Sequence, residues 1–222
     1  MPFKFLRGSG EGSLDRVEAK VREMFLHDRR EFDLAMAALM GTVAALEVNG
    51  EIRSLDHKVN GLERDIRREL VVHTSVQSGI DTPAVLVYMS IVKDVERLGD
   101  YAKNLLDLAR DGANFSTLDD VDEWRQLTTD VSQHIDAVGM AFLARNEARA
   151  RELLGPTNQL LQHFDRRVSA LVRGEDARPQ AVARALAYRY LKRVVAHLTN
   201  VLSAVVMPVD KLDYFDEDPE DR

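Results

Sequence analysis

Four oxygen-bearing side chains stand out by type and spacing: Glu96 with Asp100, and Asp56 with Asn60. A separation of four is close to one helical turn, so on helices each pair stands on a single face. Each pair also follows, by one residue, two successive positions of an apolar stripe: Leu55 and Val59 in one segment, Val95 and Gly99 in the other. Two antiparallel helices that meet through such stripes are related by a local twofold axis perpendicular to the pair. Equivalent flanks then fall on the same side of the seam, and the four groups should converge. Three carboxylates and an amide form a hard oxygen-donor set, suited to magnesium, calcium, manganese or iron rather than to a structural zinc. The same acids also read as solvated charges or as partners of Arg64, Arg67 and Arg97, the commoner fate of acidic pairs one turn apart.

The elements that must carry these groups are legible as apolar periodicities. Leu14, Val17, Val21 and Met24 recur at spacings of three and four and resume with Phe32, Ala35 and Leu39, which predicts one long helix with Ser13 as its N-cap. Ile52, Leu55, Val59, Leu62 and Ile66 mark a second helix. After the punctuation at 78–83, with Pro83 fitting a first turn, Ile91, Val95, Leu98, Ala102 and Leu105 mark a third, stopped by Asp111-Gly112. The pattern restarts with Val121, Trp124, Leu127, Val131, Ile135 and Val138. A fifth helix is predicted over 147–172, bent or broken near Gly155-Pro156, because an interior proline deletes a backbone bond and crowds the preceding turn. A sixth runs from about Pro179 to Val206 and stops before Pro208. No alternating β-branched run is bounded by turn signals. The expected fold is therefore all-α: six helices as two tandem three-helix bundles over 13–112 and 119–207, with an arm at 1–12 and a disordered acidic tail at 208–222.

The two sets of three carry matching segments. Leu55-Asp56-x-x-Val59 aligns with Phe164-Asp165-x-x-Val168, and Arg97 to Asn104 with Arg193 to Asn200, in the same order, which points to duplication. A net charge of −7 excludes a general nucleic-acid binder, since nonspecific affinity comes from Lys and Arg neutralising phosphates. There is no cysteine, hence no disulfide or thiol chemistry. The short apolar start lacks a signal pattern, and the most apolar segment, Val194 to Val209, falls short of the roughly 20 residues a span needs, so a cytoplasmic protein is expected. The Glu-x-x-His pairs of a di-iron bundle are missing; Glu23-x-x-x-His27 and Glu69-x-x-x-His73 read as surface pairs. No nucleophile triad or phosphate-cradling glycine loop is present, which argues against an enzyme. The arginines at 64, 67, 68, 166, 167 and 173 read as the wet faces of helices.

Glu96-Arg97-Leu98-Gly99-Asp100-Tyr101-Ala102, with Asn104, resembles the Glu-Arg-Ile-Gly-Asp-His-Ala signature of PhoU-type proteins, and Asp56-x-x-x-Asn60 resembles their upstream Asp-x-x-x-Asp segment. The resemblance extends from about residue 14 to 206. It implies tandem three-helix bundles whose acidic motifs bind metal, here a divalent or iron-type ion (magnesium, manganese, calcium, iron or zinc) at Asp56, Asn60, Glu96 and Asp100. It further implies a homodimer that represses phosphate uptake and phosphate-starvation signalling. Its partners would be a phosphate ABC transporter and a sensor histidine kinase, reached at the membrane only through those partners. A metal-independent adaptor or dimerisation scaffold for another transporter shares the fold and stays open. Asn60 stands where the family has a second Asp, which lowers the site's charge. In the second repeat Asp165, Ser169, Lys192 and Ala196 occupy the corresponding positions, so a metal-free site is expected there, with Lys192 paired to Asp165.

Overall fold

The computed structural model describes residues 13–76 and 81–212; the predicted N-terminal arm, part of the turn punctuation at 78–83 and the tail from 213 lie outside them. Six helices follow one another: α1 (Ser13–Leu39), α2 (Ala45–Val76), α3 (Thr82–Arg110), α4 (Val121–Leu143), α5 (Glu147–Val172) and α6 (Ala181–Val206), with short 3-10 turns at Phe115–Thr117 and Val209–Lys211. Among the described residues there is no strand. Pro83 sits in the first turn of α3, as its fixed φ and missing donor favour.

Helix ends are set by backbone chemistry rather than by side-chain caps alone. At the end of α1, Gly41 adopts φ 66°, and Thr42 N donates to the Ala37 carbonyl at 2.9 Å while Gly41 N donates to Ala38 at 3.0 Å. That 6→1 and 5→2 pair is the Schellman motif. The end of α4 repeats it: Arg145 takes φ 51°, Asn146 N reaches the Ala141 carbonyl at 3.0 Å, and Arg145 N reaches Phe142 at 2.9 Å. The shared cap fixes the register between the two repeats.

Apolar faces of all six helices join in one continuous core, including Met24, Phe32, Ile52, Ile66, Val95, Trp124, Phe164 and Tyr188. Within the first bundle α1 packs on both α2 and α3. The second bundle leans on the first through α4 against α1 and α6 against α3. The latter half of α6, from Val194 to Val206, is buried throughout, as its apolar run predicts. No helix of the described residues is long and apolar enough to cross a membrane.

Of the bend or break expected near Gly155-Pro156, the break does not occur: α5 is continuous through Pro156, and the bond that proline cannot make is lost at a single carbonyl, that of Glu152. Opposite Pro156 a cavity of about 670 Å³ opens between α4 and α5. The chain also stays ordered beyond Pro208: residues 209–211 form a 3-10 turn, and Val209 and Leu212 pack on the core.

Candidate metal centre

Three helices of the first bundle build the site. From α2 comes Asp56, half-buried, and from α3 come Glu96, buried, and Asp100, half-buried one turn later. Lys103 Nζ joins the two helices, donating to Asp56 Oδ1 at 2.6 Å and lying 3.0 Å from Asp100 Oδ1. The convergence of Asp56 with Asp100 across an antiparallel seam is thus realised. Asn60 stands half-buried one turn along α2 from Asp56, and the contacts that unite Asp56, Glu96 and Asp100 do not reach it.

The third helix supplies what the sequence reading missed. Asp28 and Glu31 of α1 are both 0% exposed. All four of their carboxyl oxygens are buried without a hydrogen-bond partner. They press against α3 at Gly99, where a Cβ would come within 3.0 Å of Asp28 Oδ1 and 3.1 Å of Glu31 Oε2. Gly99 lies between Glu96 and Asp100, so the two unpaired carboxyls face the acidic motif through the one position on α3 that has no side chain. Burial, and then the charges of Glu31, Glu96, Asp56 and Asp100, hold the Asp28 carboxyl well above the usual range. Burial and the charges of Asp56 and Asp100 push Glu31 to about 8, against a lowering pull from Lys103.

Buried ionisable groups normally find partners, and unsatisfied ones carry a desolvation penalty of a few kcal/mol each. A cluster of five acids that leaves two of them unpaired in the core is strained as it stands. A hard cation relieves both the missing contacts and the repulsion, so the donor set fits an oxygen-liganded ion. Cationic side chains meet part of that need. Lys93 Nζ lies 2.7 Å from Glu96 Oε2, and Arg97 lies 3.2 Å from Asp100 and 3.9 Å from Glu96. Burial works to lower the Lys103 pKa, but its bonds to Asp56 and Asp100 outweigh this and raise it, which keeps the ammonium charged. Among the described residues no three His, Asp or Glu side chains are gathered tightly enough to hold an ion in their present positions.

The second bundle shows what the site becomes without its acids. Counting back from the shared left-handed caps at Gly41 and Arg145, Asp28 and Glu31 correspond to Ser132 and Ile135. Ile135 is fully buried, and Ser132 accepts a 3.2 Å bond from Arg29 Nε of α1. Lys192 Nζ contacts both Asp165 oxygens, at 2.6 and 2.8 Å, the ion pair that the sequence predicts.

Other sequence readings divide. Glu23 and His27 do form an exposed pair at 3.3 Å. Glu69 and His73 do not: His73 is buried and bonds Asp81 at 3.0 Å across the turn into α3, while Glu69 pairs with Lys20 of α1 at 2.6 Å. At position 73 the helix faces the core, and the residue after the turn supplies a carboxylate. Arg67 and Arg68 pair within their own helix. Arg167 is part-buried on Glu123 of α4 rather than free in water. Signals for Asp28 and Glu31 were present in the stripe of α1, which lapses between Met24 and Phe32 where acids take positions that the period assigns to the core.

These observations define, among the described residues, a six-helix bundle of two three-helix sets with an acid-rich interhelical site in the first. Residues 21–109, the span that holds all five acids, match the family model described as the PhoU domain. The chain is 25% identical over 201 residues to the phosphate-specific transport system accessory protein PhoU homolog of Synechocystis sp., covering 88% of each. PhoU from Pseudomonas aeruginosa superposes with a TM-score of 0.76 at 20% identity, over 87% of this chain and 95% of that one. The phosphate transport system regulatory protein PhoU from Streptococcus pneumoniae gives 0.70 at 14% identity, over 92% and 98%. The first bundle thus matches the PhoU domain model, and the chain as a whole shares the fold of the PhoU structures.

Proposed function

We propose that this protein is a non-enzymatic negative regulator of phosphate uptake and phosphate-starvation signalling, working in the cytoplasm as a homodimer. In this reading a metal ion in the first bundle conditions its contacts with a phosphate ABC transporter and a sensor histidine kinase. The PhoU domain match over the first bundle and the similarity to the phosphate transport accessory protein of Synechocystis sp. support the phosphate assignment. The observation that carries the metal is the pair of fully buried carboxyls, Asp28 and Glu31, without hydrogen-bond partners and facing the Glu96/Asp100 motif. Asp28, Glu31, Asp56, Glu96 and Asp100 would hold the ion, with Asn60 at the margin of the site. The ion would supply positive charge that lets three helices approach through their acids. It would thereby stiffen the bundle that partners meet.

A second reading, a metal-independent adaptor, is favoured by one specific contact: the Lys103 ammonium already seated between Asp56 and Asp100. Elemental analysis of protein purified without chelator separates the two. The metal reading expects bound manganese, iron or a comparable ion that Glu96→Gln and Asp28→Asn each lower; equal metal in wild type and both variants sinks it. For the regulatory reading, deletion should derepress phosphate-starvation genes in high phosphate, and the transporter ATPase or kinase should co-purify with the tagged protein. Unchanged expression together with neither partner recovered defeats it.

A further inference from the structure

The acidic site already contains a cation of its own, and that cation bridges the two helices an ion would bridge. Of the three basic side chains on the cluster, Lys93 and Arg97 sit on the solvent side and touch only α3 acids. Lys103 alone reaches from α3 to α2, where it binds Asp56 as well as Asp100. It is also the charged partner whose field on Glu31 opposes the acids around it. An ion entering among Asp28, Glu31, Asp56, Glu96 and Asp100 cannot leave that ammonium in place, because two cations would then share the same carboxylates at close range.

Resting on the metal reading of this site, we propose that Lys103 is a built-in competitor of the metal, so that binding is an exchange in which the ammonium is expelled from between Asp56 and Asp100. The side chain has a place to go. A cavity of about 410 Å³ adjoins it, lined among others by Asn49, Lys103, Asn104 and Asp107. Asp107 is four residues further along α3, on the same face and within reach of the lysine, in the weaker of the two orders for such a pair. It is exposed and, among the described residues, pairs with Arg110 at 2.8 Å. The second bundle shows a lysine in place of the ion, though from a different position: Lys192, standing where the first bundle has Glu96, sits on Asp165, and the remaining acids are replaced by Ser132, Ile135 and Ala196. There, no cluster remains to outcompete the lysine. In the first bundle the five acids keep the contest open, so Lys103 sets how much free metal the protein needs before the site fills.

The test uses Mn²⁺ alone as probe, with affinity measured by calorimetry and by the loss of the free-ion EPR signal. Lys103→Met keeps the apolar stem and removes the charge, and it should bind Mn²⁺ at least about tenfold more tightly than wild type, as loss of a unit charge a few ångström away implies. Lys103→Arg keeps the charge and should stay within about threefold of wild type. Asp107→Asn removes the landing place, so it should weaken binding two- to threefold in wild type and leave the Lys103→Met background unchanged. Wild-type binding that Glu96→Gln abolishes but Lys103→Met does not improve overturns the exchange and leaves the metal site standing. Equal tightening by Met and Arg overturns it too, since packing rather than charge would then be responsible. No Mn²⁺ binding by wild type or Lys103→Met overturns both the exchange and the metal reading. Thermal shift guards against a misfolded variant: Lys103→Met without Mn²⁺ should melt lower than wild type and gain more on Mn²⁺ addition.

Discussion

Asp28 and Glu31 set the balance between stability and function in the first bundle. Burial favours the uncharged form of both carboxyls, so at neutral pH folding has to take up protons that the unfolded chain has released. Asp28→Asn removes that cost and is expected to stabilise the metal-free protein by about 1–2 kcal/mol while lowering retained metal. Paired chemical denaturation and elemental analysis read the two effects; a destabilised Asn variant that still holds metal would contradict the assignment. His134 provides a separate residue-scale test in the second bundle. Buried on α4, its Nε2 lies 2.7 Å from Thr157 Oγ1, and burial, with a smaller push from Arg149, lowers its pKa from 6.5 to about 4. The unfolded chain therefore takes up that proton more readily than the folded one. The sign follows: this contribution is complete above pH 6.5 and is lost as pH falls toward 4, by at most about 3 kcal/mol. A pH series of melting temperatures should show His134→Gln losing less than wild type across that window, and parallel curves would remove His134 as the cause.

At the scale of elements, the sequence gives away what periodicity controls and hides what neighbours decide. The six helices, the Pro83 start and the Asp56/Asp100 seam were legible because stripes and caps are local. The part played by α1 was not, because an acid in an apolar stripe takes its meaning only from the helices that bury it. At Pro156 the local rule allowed a bend or a break, and the helix continues because only one carbonyl loses its donor there. Gly99 is the joint where these scales meet, since α1 and α3 approach there only because α3 has no side chain. Gly99→Val is accordingly expected to force α1 outward, destabilise the fold by about 1–3 kcal/mol and strip the metal. Unaltered metal content in a folded Gly99→Val protein would show that the approach of α1 is dispensable to the site.

Across the whole molecule the two repeats share one core, and a polar knot ties their seam. Asp94 of α3, buried two residues before Glu96, accepts from Asn200 Nδ2 at 2.9 Å and pairs with His197 Nδ1 at 2.8 Å, both on α6. Tyr101, next to Asp100, stacks on His197 and accepts a 3.2 Å bond from Arg193 Nε. The seam therefore begins beside the acidic motif and ends inside the second bundle, whose lone tryptophan, Trp124, is fully buried. If core and knot make the repeats one cooperative unit, Trp124 fluorescence and far-UV circular dichroism must report the same urea midpoint, although the first senses only the second bundle. Asp94→Ala leaves His197 and Asn200 without their acceptor and should lower that midpoint by the equivalent of about 2 kcal/mol. A shared midpoint in wild type that shifts as one in the variant supports coupling through the seam. Two separated transitions in wild type would mean that the bundles fold independently, and any influence of the acidic site would then have to reach partners through the first bundle alone.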